Sequence, residues 1–113
     1  MSQDCIFCKI VSGEIPSTRV YENDTAIGFN DLNPQAPVHI LIVPKVHVDS
    51  LDKASDPESL GRLLIAAAEI ARRDGFAENG YRVVINTNVD GGQTVFHLHV
   101  HLLAGRPFVF PPG

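Results

Sequence analysis

HLHVHLLAG, residues 97–105, is the segment that decides the fold, because polar and apolar residues alternate over its first six positions. Side chains of a β-strand point alternately to its two faces. The pattern therefore predicts a strand with His97, His99 and His101 on one face and with Val100 packed on the core from the other. At a rise of ~3.3 Å per residue the three histidines span about 13 Å. We therefore do not expect all three to bind one small metal ion.

Four earlier segments also have the composition of strands. The first two flank a turn at Asn23-Asp24, and the third is a nearly continuous apolar run that predicts a central strand covered on both faces. A short glycine loop separates the fourth from the final strand, so we expect those two to pair antiparallel. The five segments are RVYEN (19–23), TAIGFND (25–31), VHILIVP (38–44), YRVVINTN (81–88) and VFHLHVHLLAG (95–105).

A long helix is predicted within SDPESLGRLLIAAAEIARRDG, residues 55–75. Either a capping box of Ser55 and Glu58 or Asp56 before a proline begins it, and Gly75 ends it. One face has apolar residues at helical spacing, which predicts core packing. The residues of that face are Leu60, Leu63, Leu64, Ala67, Ile70 and Ala71.

A second, short helix is predicted in FCKIVSGEI (7–15), ending near Gly13. The order is then a short helix, three strands, one long helix and two strands. This order predicts an α+β fold, an antiparallel sheet of about five strands with helices packed on it, in a single domain over residues 1–113.

Composition limits the function classes. The chain is 44% hydrophobic with a formal net charge of -4, and its nine basic residues form no stripe. This distribution argues against binding a nucleic-acid polymer, although a single nucleotide needs only a few backbone N–H groups. No apolar run reaches membrane-spanning length, and the N-terminus does not resemble a signal peptide, so we expect a cytoplasmic protein with no membrane partner.

The two cysteines, Cys5 and Cys8, form one C-x-x-C motif. A structural disulfide is not expected in a reducing cytosol. No strand precedes the pair, as a thioredoxin-like redox motif would require. Half of a metal site, a redox pair and two packed thiols remain open on the cysteines alone.

The histidine row follows directly on a glycine loop, DGGQT, residues 90–94. Glycines allow close backbone approach, and a run of free N–H groups binds phosphate oxygens. Histidine offers metal ligation, nucleophilic attack and proton transfer near neutral pH. The alternatives are a simple hairpin turn and polar residues on the solvent face of a strand. The loop and the row together favour a phosphate-handling site.

The pattern His-φ-His-φ-His-φ-φ, with φ apolar, resembles the motif of the histidine triad (HIT) superfamily. DLNPQAPVHILIVPKVHV (31–48) resembles the upstream block of that family, NGYRVVINTNVDGGQT (79–94) its phosphate-loop block, and the terminal PPG the tail of its Hint branch. The blocks occur in the right order over nearly the whole chain. The resemblance implies a homodimeric hydrolase that binds purine nucleotides and cleaves nucleoside phosphoramidates and related adenylates to the nucleoside monophosphate.

The resemblance also implies roles for individual residues. His99 would attack the α-phosphorus and form a nucleotidyl-histidine intermediate, which water hydrolyses. His101 would hydrogen-bond a phosphate oxygen or the leaving group, and the Thr94 hydroxyl would donate to the leaving group. His39 would orient the triad from the neighbouring strand. Asp31, an acceptor-only carboxylate, would bind the ribose hydroxyls.

Other substrate contacts and a metal site follow from the same resemblance. The residues implied to line the base pocket are Phe7, Phe29, Leu32 and Ile6. Those implied to hold the phosphate are Asn86, Gly92, Gln93 and Thr94, with His99 and His101. Those implied to bind a structural zinc ion are Cys5, Cys8, His47 and His97. The chain departs from some family members at three positions, Asn30, Thr94 and Phe110, where those members have histidine, serine and tryptophan.

Two other functions remain open from the sequence. One is a dinucleoside polyphosphate hydrolase of the same superfamily, against which the DGGQT loop and the PPG tail argue. The other is a zinc-stabilised nucleotide-binding or interaction module whose hydrolysis is incidental. The uridylyltransferase branch is disfavoured, because it has His-Pro-His where this chain has Leu98 between two histidines.

Overall fold

The computed structural model describes residues 4–113 and contains a five-stranded antiparallel sheet with the order β1-β2-β3-β5-β4. The N-terminal prediction extends to residues 1–3, which lie outside that range. The predicted α+β class, strand number and central position of β3 are confirmed. The elements in chain order are α1 (Ile6–Ser12), β1 (Arg19–Glu22), β2 (Ala26–Asn30), β3 (Val38–Pro44), α2 (Pro57–Asp74), β4 (Arg82–Val84) and β5 (Val100–Ala104).

The predicted bounds of the last two strands are wrong, because β4 has only three residues and β5 begins at Val100. The segment before β5 runs past the end of β3, and the Leu98 N–H donates to the Val48 carbonyl oxygen at 2.7 Å. Side chains still alternate there. Leu98 packs in the core beside α2, whereas His97 and His99 contact the Phe7 ring on the other face. His97 and His99 therefore lie on one face, as predicted, although β5 does not extend back to them.

The sheet has an apolar layer on each face. The larger layer lies between the sheet and α2, and the smaller lies between the sheet and α1. Burial of these side chains provides the main stabilisation. Buried residues of the larger layer are Ala26, Ile40, Ile42, Leu63, Ala66, Ala67, Ile70, Leu98, Val100 and Leu102. Those of the smaller layer are Phe7, Ile10, Ile27, Phe29, Leu41 and Val43.

Helix α2 begins at the alternative cap. The Asp56 side chain accepts from the Glu58 N–H at 3.1 Å, so the capping box from residue 55 is wrong. Gly75, with φ +87°, ends the helix as predicted. Leu64 is 43% exposed and not in the core, because it lies about 100° around the helix from Leu63, at the edge of the apolar face. Ala66 takes a core position that the prediction omitted.

Helix α1 brings the two cysteines to one side of the sheet. The Cys5 sulfur accepts from the Cys8 N–H at 3.3 Å as a helix cap, and Gly13, with φ +85°, ends the helix. Among residues 4–113, no helix combines the length and apolar character needed to cross a membrane.

Candidate active site and metal centre

The predicted metal ligands come together at the N-terminus of α1. One ligand atom from each of Cys5, Cys8, His47 and His97 lies within 4.8 Å of the other three. His47 follows β3 and His97 precedes β5, so the residues meet because these strands are neighbours in the sheet. The structure thus unites a C-x-x-C motif with two histidines from distant parts of the chain.

The donor atoms of this cluster fit a tetrahedral zinc ion. Nδ1 of His47 lies 3.1 Å from Nδ1 of His97 and 3.3 Å from the Cys8 sulfur. The Cys5 sulfur lies 3.3 Å from Nδ1 of His97. Usual Zn–N and Zn–S bond lengths in a tetrahedron separate ligand atoms by about 3.3 to 3.8 Å. The four side chains therefore stand at the spacing that the ion requires.

The tautomers of the two imidazoles support the same conclusion. The Nε2–H of His47 donates to Asp49 Oδ1 at 2.6 Å, and the Nε2–H of His97 donates to the Pro44 carbonyl oxygen at 2.9 Å. Each ring therefore presents an Nδ1 lone pair to the other ring and to the thiols. Lone pairs that face one another at 3.1 Å favour a bound cation. Four protein ligands would leave no open position, which is typical of a structural site.

His99 has a defined tautomer. Its Nδ1–H donates to the His97 carbonyl oxygen at 2.7 Å, which leaves the lone pair on Nε2. The ring is buried and stands edge-on to Phe7, with centroids 5.0 Å apart. Burial lowers the pKa of His99 below its ordinary value. Neutral imidazole with a free Nε2 is the form that acts as a nucleophile.

Two further imidazoles form a directed chain beside His99. The backbone N–H of Gln35 donates to His39 Nδ1 at 3.0 Å, so His39 has its proton on Nε2. That Nε2–H donates to His101 Nδ1 at 3.0 Å. His101 then has its own proton on Nε2, a buried atom without a hydrogen-bond partner among the described residues. The chain thus ends in an unused N–H donor on His101. The centroids of the His101 and His99 rings are 4.9 Å apart.

Burial also keeps this chain uncharged at neutral pH. Desolvation, together with a smaller effect of the neighbouring imidazoles, lowers the pKa of His101 to about 4. Desolvation lowers the pKa of His39 as well, although the Asp31 carboxylate acts in the opposite direction. Asp31 Oδ2 lies 3.4 Å from His39 Nε2, so the predicted ribose ligand stands at the edge of the histidine cluster.

The glycine loop is tightly folded at two positions. A Cβ on Gly91 would lie 2.3 Å from the Thr87 carbonyl oxygen, and Gly92 has φ +85°. A side chain at either residue is therefore excluded or strained. Thr94 is exposed and Asn86 is half-buried, so both are accessible from the loop side.

Gln93 is buried, and its side chain holds the loop from within. Nε2 donates to the Asp49 carbonyl oxygen at 2.8 Å and to the Val95 carbonyl oxygen at 3.0 Å. Oε1 accepts from the Asn88 N–H at 2.8 Å. Because both amide hydrogens are used within the protein, the structure assigns this side chain to positioning the loop. Its predicted contact with phosphate stays a prediction.

The residues predicted to surround the base are only partly brought together. Phe7 and Phe29 are buried and stand edge-on, with centroids 5.5 Å apart. Leu32 is 99% exposed, so it does not pack against the aromatic pair within this chain, and Ile6 is exposed at the start of α1. A base pocket that includes Leu32 would require a different conformation of the loop between β2 and β3, or a second protein surface packed against Leu32.

The sequence did not identify two residues that contribute hydrogen bonds to the histidines of the site. Gln35 acts through its backbone N–H, for which no side-chain pattern exists. Asp49 was detectable in principle, because it lies two residues after His47 and therefore on the same side of an extended segment.

The family model of the HIT domain matches residues 12–108. The chain belongs to the HIT family. It is 48% identical to the purine nucleoside phosphoramidase of Escherichia coli (strain K12) over 109 residues, which are 95% of this chain and 92% of that protein. The predicted family is therefore confirmed.

A plant relative and a solved structure extend this comparison of the HIT chain. The 14 kDa zinc-binding protein of Zea mays is 53% identical over 112 residues, which cover 96% of this chain and 87% of that protein. The crystal structure of a HIT family hydrolase from Legionella pneumophila Philadelphia 1 superposes with a TM-score of 0.95 at 47% identity. It covers 97% of this chain and all of its own. The predicted HIT-like fold is thus confirmed.

Proposed function

We propose that this protein hydrolyses purine nucleoside phosphoramidates and related adenylates to the nucleoside monophosphate. The observation that carries the proposal is the Nδ1–H of His99 held on the His97 carbonyl, which leaves Nε2 as a buried, neutral nucleophile. The name and 48% identity of the Escherichia coli phosphoramidase support the same reaction class.

In the proposed reaction, His99 Nε2 attacks the α-phosphorus and the P–N bond breaks. The amine leaves with a proton, for which the Thr94 hydroxyl is the proposed donor. The unused Nε2–H of His101 donates to a phosphoryl oxygen, where negative charge develops. Water then attacks phosphorus and the P–Nε2 bond to His99 breaks. A proton of that water restores the Thr94 hydroxyl as the nucleoside monophosphate leaves. The uncharged state of His101 suits a hydrogen-bond donor that is not consumed in the first step.

We further propose that zinc binds to Cys5, Cys8, His47 and His97 and supplies structural cross-linking. The ligand spacing supports this assignment, and the name of the maize relative agrees with it. The cluster would fasten α1, and with it Phe7, to the segment that includes His99. Four protein ligands would leave the ion no open position, so we assign it no part in bond cleavage.

Within the cell we propose a cytoplasmic homodimer with residues 1–113 as its single domain. Exposed apolar side chains support self-association, because Leu32 is 99% exposed and Phe110 is 85% exposed. Sedimentation of the wild type and of a Phe110→Ser variant tests this point. A monomer at micromolar concentration in both would contradict it.

The experiment for the activity compares wild type with His99→Ala. Each is incubated with an adenosine phosphoramidate and with a dinucleoside polyphosphate, and AMP release is followed. We expect fast release from the phosphoramidate by wild type and loss of at least ~10³-fold in the variant. A wild type that prefers the dinucleotide would identify the other hydrolase class. AMP binding without turnover of either substrate would identify a binding module.

A further inference from the structure

Asp49 contacts both halves of the site. Its carboxylate Oδ1 accepts the Nε2–H of His47 at 2.6 Å, and its backbone carbonyl oxygen accepts from Nε2 of Gln93 at 2.8 Å. His47 belongs to the metal cluster, whereas Gln93 lies in the glycine loop. A single residue therefore joins two groups that are 46 positions apart in the sequence, from 47 to 93.

We propose that Asp49 is a positioning residue that couples the metal centre to the phosphate loop. This inference rests on the proposed metal site. The carboxylate fixes the ring of His47 so that Nδ1 points to the thiols. The main chain of the same residue anchors the loop through Gln93.

The loop side of this connection is closed by reciprocal hydrogen bonds. Oε1 of Gln93 accepts from the Asn88 N–H at 2.8 Å, and the Gln93 N–H donates to the Asn88 carbonyl oxygen at 3.0 Å. Gln93 is 5% exposed, so these bonds are made out of water and losing one leaves a buried amide unsatisfied. A displacement of the Asp49 carbonyl is therefore transmitted through Gln93 to Asn88, and to the two glycines between residues 88 and 93.

Metal binding has a predicted consequence for the loop. When the ion fixes His47, the hydrogen bond to Asp49 restrains residue 49 and, through Gln93, the loop. Because coupling between two binding sites is reciprocal, a nucleotide that orders the loop also strengthens metal binding. The connection runs through named hydrogen bonds and needs no change of fold.

The first test measures zinc affinity by competition with a chromogenic chelator, and the Co²⁺ spectrum reports ligand geometry. Asp49 is 60% exposed, so its truncation leaves no cavity and the variants are expected to fold. We expect Asp49→Ala to weaken zinc binding about 10- to 100-fold, with Asp49→Asn intermediate because its amide oxygen still accepts. Asp52→Asn, an exposed acid three residues on, is the matched control and should match wild type.

The second test follows amide hydrogen exchange of Asn88 and Gln93 in metal-free and zinc-saturated protein. We expect zinc to slow exchange several-fold in wild type and in Asp52→Asn, and much less in Asp49→Ala at saturating zinc. The coupling role of Asp49 would be overturned if Asp49→Ala and wild type bound zinc with equal affinity. It would also be overturned if zinc did not alter the amide exchange of Asn88 and Gln93 in wild type. A wild type that binds no zinc would instead refute the proposed metal site.

Discussion

The ring of His99 is hydrogen-bonded to the main chain of His97, with 2.7 Å between Nδ1 and the carbonyl oxygen. The side chain of the same His97 faces the two thiols, and its Nε2–H donates to the Pro44 carbonyl oxygen. The backbone that orients the proposed nucleophile thus belongs to the residue whose side chain completes the cysteine–histidine cluster. One residue therefore links the proposed metal site to the proposed reaction.

Metal removal is expected to destabilise the fold. Zinc that binds only the folded state stabilises it by about 4 kcal/mol when the free ion is a thousandfold above its dissociation constant. Thermal unfolding with and without a chelator checks this, with Cys8→Ser as the variant that should not respond. An unfolding temperature independent of zinc in wild type would contradict the prediction.

Replacement of His39 by Asn should lower kcat with little effect on nucleotide affinity. His39 does not carry the nucleophile, but its Nε2–H fixes the tautomer of His101. We expect about a tenfold loss, equivalent to about 1.4 kcal/mol of transition-state stabilisation. Steady-state kinetics and AMP titration separate the two effects. A change confined to AMP affinity would show that His39 acts in binding instead.

His101 makes folding less favourable in acid. Its pKa is about 4 in the folded protein and about 6.5 when unfolded, so between these values only the unfolded chain binds the proton. Stability therefore falls as the pH drops from about 6.5 to about 4, by at most about 3 kcal/mol from this group. Urea unfolding of wild type and His101→Gln measures it. The difference between their stabilities should change over that interval, and parallel curves would contradict the assignment.

Two glycine-to-alanine changes should differ in their effect on AMP binding. A Cβ at Gly91 would lie 2.3 Å from the Thr87 carbonyl oxygen, so Gly91→Ala should distort the loop and weaken AMP binding at least ~10-fold. Gly61 lies in α2 with nothing within 4 Å of its Cβ position. Gly61→Ala should leave AMP binding unchanged and stabilise the protein by about 0.5 to 1 kcal/mol. Calorimetry measures both, and equal AMP affinity in the two variants would remove the assigned role of the loop.

Much of the architecture was predictable from local patterns. Alternation around Val100 placed three histidines on one face, and the apolar run of β3 identified the central strand. Gly13 and Gly75 were recognisable helix ends. Such signals are local, because strand alternation and helix capping depend on neighbours within a few residues.

Other features required contacts between distant segments. Leu63 and Leu64 are the same residue type, one position apart in α2, yet only the packing of the helix showed that Leu63 is buried and Leu64 is 43% exposed. The contacts of the Gln93 side chain with residues 49, 88 and 95 could not be predicted from the sequence, and its contact with phosphate stays a prediction. Leu32 is 99% exposed among the described residues, and nothing in its sequence position indicated that.

The sequence by itself determined which chemical groups this protein has and that three of its histidines share one face of the sheet. It identified two thiols, five imidazoles and a glycine loop, in an order similar to that of a known family. Only the tertiary structure decided the proton positions. Two imidazole tautomers depend on partners far away in the chain, Pro44 for His97 and His39 for His101, whereas His47 is paired with Asp49 two residues on. A hydrogen bond is defined by distance and direction in space, and local sequence spacing does not encode either across separate strands.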